Sequence, residues 1–171
     1  MGIRVLKEAS NSRTAGYKVN VVKGVPEAIL PGLACNLVDA ETITIADGTT
    51  ELTIGLALDS NVLYPITNSI PDGQAGQGYD YLNYNRQGLV ALFSNGEVEL
   101  YDDMRLPAGA SHPANFVAPA GAWVINSPVY VDNVGKATAV GTPGATPVIG
   151  VVTGITNPGV ASLVLRIKLS I

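Results

Sequence analysis

Polar and apolar residues alternate with a period of two along several short stretches of this 171-residue chain. The alternation is clear at residues 42–45, 51–54 and 163–169, and residues 89–93 and 98–101 are two further apolar-rich stretches. A period of two is typical of β-strands with one buried face. Long stretches of helical periodicity without Gly or Pro are missing from the sequence. The pattern therefore predicts an all-β protein with little helix.

Two dipeptides between these stretches favour tight turns. Asp47-Gly48 separates residues 42–45 from 51–54, and Asn95-Gly96 separates residues 89–93 from 98–101. Because Asp-Gly and Asn-Gly suit the positive φ angles of type I′ turns, each predicts a two-stranded β-hairpin. The apolar content predicts further strands at residues 17–22, 123–125, 129–131, 148–153 and 162–171.

A weak internal repeat runs through the sequence. Residues 31–39 can be laid beside residues 120–125 and 129–132, and residues 54–57 beside residues 149–152. Each copy contains a turn glycine, a strand ending in Asp, a polar turn and a strand with an Ile-Gly step; these landmarks are Gly32, Asp39 and Gly55 in one copy and Gly121, Asp132 and Gly150 in the other. A glycine within a strand suggests a bulge or bend. Two such units could close one barrel or face each other as a sandwich.

The composition points to many turns and an uneven charge distribution. Gly and Pro number 19 and 11, charged residues make up only 14% of the chain, and the net charge is −4. Residues 1–23 nevertheless contain five basic groups and one acidic group. This split predicts a basic, extended N-terminal arm (1–23) and an acidic all-β domain (24–171), with a long Tyr/Asn/Gln-rich insertion at 59–88. A basic arm favours an acidic partner, either nucleic acid or protein, and the acidic body makes nucleic acid the poorer choice.

The sequence offers little for catalysis, metals or cofactors. His112 precedes a proline in a Pro/Ala segment, and no Gly-x-Ser-x-Gly motif accompanies it. A zinc site needs three or four ligands, but the chain has one Cys and one His. Cys35 lies in an apolar stretch and is expected to be a core residue, as is Trp123. We expect no enzyme activity, cofactor or metal, and the apolar runs are too short for a membrane span.

Two polar clusters invite an interaction role. Glu97 and Glu99 are two residues apart in a predicted strand, so they share a face, which is typical of a solvated or protein-contact surface rather than of a calcium or glycosidase site; Asp102 and Asp103 follow them. In the insertion, Tyr79, Tyr81, Tyr84 and Arg86 form the second cluster. Tyr and Arg are enriched at protein interfaces, and Tyr beside Asn or Gln also suits sugar binding.

The repeat motifs carry a resemblance to a known family. Pro31-Gly32, residues 37–39, 54–57, 129–132 and 149–152 together resemble the head decoration, or cement, proteins of tailed bacteriophages, over roughly residues 24–160. The resemblance implies a β-barrel or β-tulip-like domain on the exterior of a capsid, commonly a homotrimer that clamps neighbouring major capsid subunits. It implies no catalytic residues. The basic arm and the long insertion depart from the pattern and leave trimer or dimer open.

Two functions follow as expectations. The first is a structural virion protein, made in the host cytoplasm, that binds the capsid exterior without nucleic acid or membrane; Arg4, Lys7, Arg13 and Lys18 would contact the capsid, and Tyr79, Tyr81, Tyr84 and Arg86 would form a subunit interface. The alternative is a carbohydrate-binding module of a phage fibre or spike, with Tyr79, Asp80, Tyr81 and Asn83 as its binding residues.

Overall fold

The protein is all-β, as the sequence predicts. The structure, a computed structural model, describes residues 3–9, 13–49, 53–59, 61, 88–101, 123–142, 146–159 and 162–171. These residues contain no helix, and so none that could cross a bilayer. Their strands are β1 (Ile3–Glu8), β2 (Arg13–Val19), β3 (Val21–Val22), β4 (Val25–Pro26), β5 (Ala34–Leu37), β6 (Thr42–Ile45), β7 (Thr53–Ala57), β8 (Val90–Phe93), β9 (Asn95–Tyr101), β10 (Pro128–Val131), β11 (Ala137–Thr138), β12 (Val148–Gly159) and β13 (Ser162–Ser170).

The strands form one closed barrel, one open sheet and one small hairpin. The barrel has the order β2-β6-β5-β7-β8, and β2 closes it by pairing with both β8 and β6. The open sheet has the order β1-β9-β13-β12-β10-β11. Strands β3 and β4 pair with each other. Barrel closure removes sheet edges, whereas the open sheet keeps two.

A short connection joins the barrel to the open sheet. Ser94 alone separates β8 of the barrel from β9 of the sheet. Phe93, which precedes it, is fully buried and packs among apolar side chains of the open sheet, including Val98, Leu100, Leu165 and Ile167. A second buried cluster fills the barrel: Val19, Ile29, Cys35, Ile43, Ala57, Val90 and Leu92. The barrel therefore has its own core and also contributes to the core of the sheet.

Both hairpins predicted from the sequence are wrong, although their strands exist. Strand β5 lies between β6 and β7, and β8 and β9 belong to different sheets. A type I′ turn needs positive φ at both central residues. Gly48 and Gly96 have positive φ, but Asp47 and Asn95 do not. Instead, Gly96 lies within β9, where a Cβ would collide with the carbonyl oxygen of Lys7.

The strand predicted at residues 17–22 is interrupted at Asn20, and its last two residues form the first strand of a tight hairpin. Lys23 and Gly24 have φ values of 52° and 82°, which is the type I′ pattern. They connect β3 to β4, with Val22 opposite Val25. The backbone N–H of Asn20 donates to Ile43 O (2.8 Å) at the base of this hairpin.

The internal repeat is present in the topology. In the first copy, β5 pairs with β6 on one side and β7 on the other; in the second, β10 pairs with β11 and β12 in the same way. Both Ile-Gly steps make the same irregularity. Gly55 stands opposite Cys35 and Gly150 opposite Val129, and in each case the pairing register shifts at the next step. Each glycine therefore follows a bulge, as glycines within strands often do.

The hydrogen bonds before the two repeat strands also match. The N–H of Gly32 donates to Ala57 O (2.7 Å), and the N–H of Asn126 donates to Val152 O (2.8 Å). Gly32 and Asn126 both have positive φ, at 91° and 67°. Asn126 is thus the counterpart of Gly32, because Asn tolerates this conformation better than most residues. Gly121, to which the sequence analysis gives this role, lies outside the described residues.

The predicted strand at residues 123–125 is also wrong, because these residues lead into the turn at Asn126. Val124 O accepts a hydrogen bond from Ser127 N–H (3.1 Å), just as Leu30 O accepts one from Leu33 N–H (3.2 Å) in the first copy. Trp123 is buried, as expected.

The two copies contact each other through glycines. A Cβ on Gly48 would lie 2.7 Å from Val131 O in the second copy, and a Cβ on Gly135 would lie 2.6 Å from the side chain of Ile45 in the first. Gly135 O accepts a hydrogen bond from Ala34 N–H (2.7 Å). Close approach of backbones therefore requires glycine at both positions.

Candidate protein interface

Two strands of the predicted N-terminal arm, β1 and β2, lie within the open sheet and the barrel. Strand β1 pairs with β9 in the open sheet, and β2 pairs with β6 and β8 in the barrel. Strand pairing satisfies the backbone hydrogen-bonding groups of β1 along one side and those of β2 along both sides. Ile3 of β1 and Val19 of β2 are buried. The described part of residues 1–23 therefore does not form an arm separate from a domain at 24–171.

Three basic residues of this segment, Arg4, Lys7 and Lys18, have acidic partners within the chain. Lys18 Nζ donates to Glu41 Oε2 at 2.7 Å, and both side chains are exposed. The pKa of Lys18 is raised, first by this hydrogen bond and then by the charge of Glu41. Arg13 lies in β2 opposite Phe93. Arg4 and Lys7 lie on β1, an edge strand of the open sheet.

A ladder of charged side chains crosses the outer face of the open sheet. Its members, called the charged ladder below, are Arg4 and Lys7 on β1, Glu97 and Glu99 on β9, and Arg166 and Lys168 on β13. Glu99 stands opposite both Arg4 and Arg166, and Glu97 stands opposite both Lys7 and Lys168. The prediction that Glu97 and Glu99 share a face is confirmed.

The glutamates of the charged ladder are well packed between the cations. Arg166 Nη2 donates to Glu99 Oε1 at 2.9 Å, and Arg4 Nη1 lies 3.8 Å from Glu99 Oε2. Lys7 Nζ lies 3.7 Å from Glu97 Oε2, and Thr153 Oγ1 donates to Glu97 Oε1 at 3.0 Å. The two carboxylates are 13% and 19% exposed, whereas Arg4 and Lys7 are 63% and 81% exposed.

The charged ladder carries a net positive charge on a protein whose total is −4. Four cations stand opposite two carboxylates, and the cations are the groups that reach solvent. A local field of this kind attracts an acidic surface and orients it during encounter. The sequence analysis misses this arrangement because Glu97 and Glu99 are far from Arg4 and Lys7 along the chain.

The β3–β4 hairpin, called the valine hairpin below, presents apolar side chains to solvent. Val21, Val22 and Val25 are 56%, 49% and 66% exposed. At its base, Glu27 N–H donates to Asn20 O (3.0 Å), and Glu27 Oε2 accepts a hydrogen bond from Thr44 Oγ1 (2.6 Å). A two-stranded hairpin is marginal alone, so these anchors to the barrel hold it. Grouped exposed apolar residues are typical of a surface that another protein covers.

The start of the insertion is anchored beside the valine hairpin. Asn61 Nδ2 donates to Glu27 O (2.7 Å), and Asn61 Oδ1 accepts from Ile29 N–H (2.9 Å). Asp59 Oδ1 accepts from Ala91 N–H (2.8 Å), next to β8. The predicted interface and sugar-binding residues of the insertion lie outside the described residues: Tyr79, Asp80, Tyr81, Asn83, Tyr84 and Arg86. Both expectations for them stay predictions.

The remaining sequence candidates give no reactive site in the described part of the chain. Cys35 is fully buried, and burial followed by the charge of Glu27 raises the pKa of its thiol, which disfavours the thiolate. Its expected place in the core is confirmed. Among described residues, no three His, Cys, Asp or Glu side chains are grouped to hold a metal ion. His112, Asp102 and Asp103 lie outside the described residues.

No family model, curated protein or solved structure matches this chain. The two surfaces described above, the charged ladder and the valine hairpin, are therefore what this chain itself offers as a guide to its function.

Proposed function

We propose that this chain is a structural virion protein that binds the outer surface of a tailed-bacteriophage capsid and stabilises the shell by clamping neighbouring capsid subunits. The observation that carries the proposal is the valine hairpin, whose three valines are about half exposed or more while the barrel behind them has a filled core. Together with the sequence resemblance, such a surface favours a protein partner over a small-molecule substrate.

The proposed mechanism is linkage between binding and shell assembly. A protein that binds assembled subunits but not separated ones shifts the equilibrium towards the shell. Each contact can be weak, since many copies on one lattice act together. The valine hairpin would supply apolar contact, and the expected homotrimer would present several hairpins at once.

Co-sedimentation with phage heads tests this proposal. Wild-type protein is mixed with undecorated heads, pelleted and quantified. The variant Val21→Ser/Val22→Ser/Val25→Ser removes the apolar surface of the hairpin at positions that are already exposed, so its fold should survive. A matched control is Val134→Ser/Val140→Ser/Val148→Ser, since these three valines are 49%, 69% and 51% exposed elsewhere on the protein.

We expect the wild type and the control to pellet with heads and the hairpin variant to remain in solution. Failure of the wild type to pellet with any form of the capsid contradicts the function. Equal binding by the hairpin variant and the wild type contradicts the role of the hairpin. Light scattering of the purified protein tests the homotrimer separately. Truncation is a poor test, because deleting residues 1–16 removes β1 and part of β2.

A further inference from the structure

We propose that the outer edge of β1 accepts an extended acidic segment of a partner protein as an additional strand of the open sheet. Strand β1 pairs with β9 on one side, and in the described part of the chain no strand pairs with its other side. An edge strand presents a row of backbone N–H and C=O groups that can pair with another chain. This edge is six residues long.

The opposite end of the same sheet is much less suited to strand addition. Strand β11 has two residues, Ala137 and Thr138, and both are buried. Immediately before it, Gly135 O already accepts a hydrogen bond from Ala34 N–H. The first repeat copy thus covers part of that edge, which leaves β1 as the longer and more accessible one among the described strands.

The charge pattern across the sheet specifies the chemistry of the added strand. From β13 through β9 to β1, the signs of the charged ladder run positive, negative, positive in both rows. Opposite charges on directly opposed positions stabilise strand pairs, and like charges destabilise them. The next strand beyond β1 would therefore be favoured when it places carboxylates opposite Arg4 and Lys7.

The exposure of the cations supports the same conclusion. Arg166 Nη2 donates a hydrogen bond to Glu99 Oε1 at 2.9 Å, whereas Arg4 Nη1 lies 3.8 Å from Glu99 Oε2 and the Arg4 side chain remains 63% exposed. Lys7 is 81% exposed and lies 3.7 Å from Glu97. Both β1 cations therefore have hydrogen-bonding capacity directed to solvent, in addition to their longer contacts with β9.

The spacing of the ladder defines a short sequence pattern. Arg4 and Lys7 are three apart in sequence, but a register shift between Val5 and Lys7 brings Lys7 opposite Glu97, two residues from Glu99. The β1 cations thus match carboxylates at positions i and i+2. The fitting partner segment is Glu-x-Glu or its Asp equivalents in an extended conformation, the pattern that Glu97 and Glu99 show on the other side of β1.

A second copy of β1 is a poor occupant of the same edge. When a two-fold axis passes midway between Arg4 and Lys7, two β1 strands would place Arg4 of one copy against Lys7 of the other, and the reverse. Like charges at directly opposed positions destabilise such a pair. The edge therefore discriminates against edge-to-edge association of identical copies while it favours an acidic strand, a combination of attraction and rejection that gives specificity.

This inference refines the proposed function by naming the chemistry of the capsid segment, but its test uses a synthetic peptide. Isotope-labelled full-length protein is titrated with a short peptide that has a central Glu-Val-Glu flanked by Thr and Val, and amide shifts are followed by NMR. Matched peptides carry Gln-Val-Gln or Lys-Val-Lys. Two further peptides carry N-methyl groups along one or the other backbone edge, which removes the donors of that edge.

Protein variants complete the design. Arg4→Glu/Lys7→Glu reverses the charge of the edge, and Arg4→Gln/Lys7→Gln removes it with less risk to folding. Lys18→Glu is the matched control, since Lys18 is an exposed cation, 66% accessible, in the barrel. Thermal melts confirm that each variant is folded before titration.

We expect the Glu-Val-Glu peptide to shift amides of residues 3–8 and to bind about tenfold more tightly than Gln-Val-Gln at low salt. The charge-reversed variant should prefer Lys-Val-Lys, the neutral variant should lose the preference, and Lys18→Glu should bind as the wild type does. N-methylation along one edge of the peptide backbone should abolish binding, whereas N-methylation along its other edge should leave binding unchanged.

Three results would overturn the inference: no shifts with Glu-Val-Glu, equal binding by both N-methylated peptides, or equal weakening by Lys18→Glu. Binding of the wild type to heads without peptide binding removes this inference and leaves the proposed function. Peptide binding at β1 without attachment to any capsid form removes the proposed function and leaves the edge chemistry.

Discussion

The two copies of the repeat have the same three-strand unit but different surroundings. The first, β6-β5-β7, closes into a barrel because β2 joins β6 to β8. The second, β11-β10-β12, continues through β13 and β9 to the open edge at β1. Their matching bulges and hydrogen bonds show that the unit itself does not decide closure. The strands recruited from elsewhere in the chain decide it.

The largest expected effect tests whether barrel and sheet unfold as one unit. Phe93→Ala should lower the free energy of unfolding by about 3–5 kcal/mol, because it leaves a cavity in the core that both share. Urea unfolding is followed by Trp123 fluorescence and far-ultraviolet circular dichroism. Trp123 belongs to the same buried cluster as Phe93.

Ile43→Ala is the companion variant, since Ile43 belongs to the separate barrel core. It should also shift the Trp123 transition, by about 2–5 kcal/mol, if the two units are cooperative. An unchanged Trp123 transition in this variant, or two resolved transitions, would show that the repeat copies unfold independently.

A smaller loss of unfolding free energy is expected when the two equivalent glycines of the repeat are replaced. In Gly150→Ala the new Cβ meets Lys168 O, whereas in Gly55→Ala it lies 3.0 Å from Leu92 Cβ and 3.2 Å from Phe93 O. We expect losses of about 3 kcal/mol and about 1 kcal/mol in unfolding free energy, because the new Cβ would overlap the carbonyl oxygen of Lys168, whereas at position 55 its neighbours lie 3.0 Å away or more. Chemical denaturation measures both. Equal losses would mean that the environments of the two bulges are energetically the same.

The charged ladder should contribute less than either core. Glu99→Gln removes the carboxylate that Arg4 and Arg166 share, and we expect a loss of about 1 kcal/mol at low salt. Added salt should reduce that loss by screening. Glu41→Gln is the control, because Glu41 is 72% exposed in its pair with Lys18 and should contribute little. Similar losses in the two variants, measured by thermal melts, would contradict a special role for the ladder.

The smallest effect concerns the turn that positions Gly48 against the second copy. Asp47 Oδ1 accepts hydrogen bonds from Thr49 Oγ1 (2.7 Å) and Thr49 N–H (3.1 Å), and these bonds lower the pKa of Asp47. Because the folded state favours the ionised carboxylate, its stabilisation is present above the ordinary pKa of about 3.9 and is lost as pH falls through the lower folded value.

Asp47→Ala should therefore cost less than about 0.5 kcal/mol at neutral pH, and the cost should vanish in acid. Thermal melts across the acidic range measure the difference from wild type. Thr49→Val removes the hydroxyl donor and should reproduce part of the effect. A difference that persists unchanged into strong acid would assign the contribution to packing rather than to the carboxylate.

The sequence predicts the strands better than their partners. Period-two alternation locates β6 and β13 because one face of each strand is buried, and apolar content locates β8 and β10. Strand pairing depends on contacts between residues that are distant in sequence. Asp47-Gly48 and Asn95-Gly96 therefore suggest hairpins, but the strands on either side of each dipeptide pair with other strands. Lys23-Gly24 makes the tight turn between β3 and β4, a turn that the sequence analysis does not predict.

The candidate site shows the same limit. The spacing of Glu97 and Glu99 is enough to place them on one face, because the geometry of a single strand determines it. The concentration of positive charge in residues 1–23 suggests an arm because this segment contains few carboxylates of its own. The carboxylates that face Arg4 and Lys7 lie about ninety residues away in sequence, so this pairing is not visible locally. The repeat is visible in sequence, but Asn126 is hidden as the counterpart of Gly32 because the two residue types differ while their φ angles agree.

The single residue between β8 and β9 has a mechanical consequence. A hinge needs several backbone torsions that can change without loss of contacts. Ser94 stands between two paired strands, and its carbonyl accepts a hydrogen bond from Ile171 N–H (3.2 Å). Tension applied to the outer strand β1 would therefore pass through β9 into the barrel wall within a few residues, and the two units would bear it together as one stiff body.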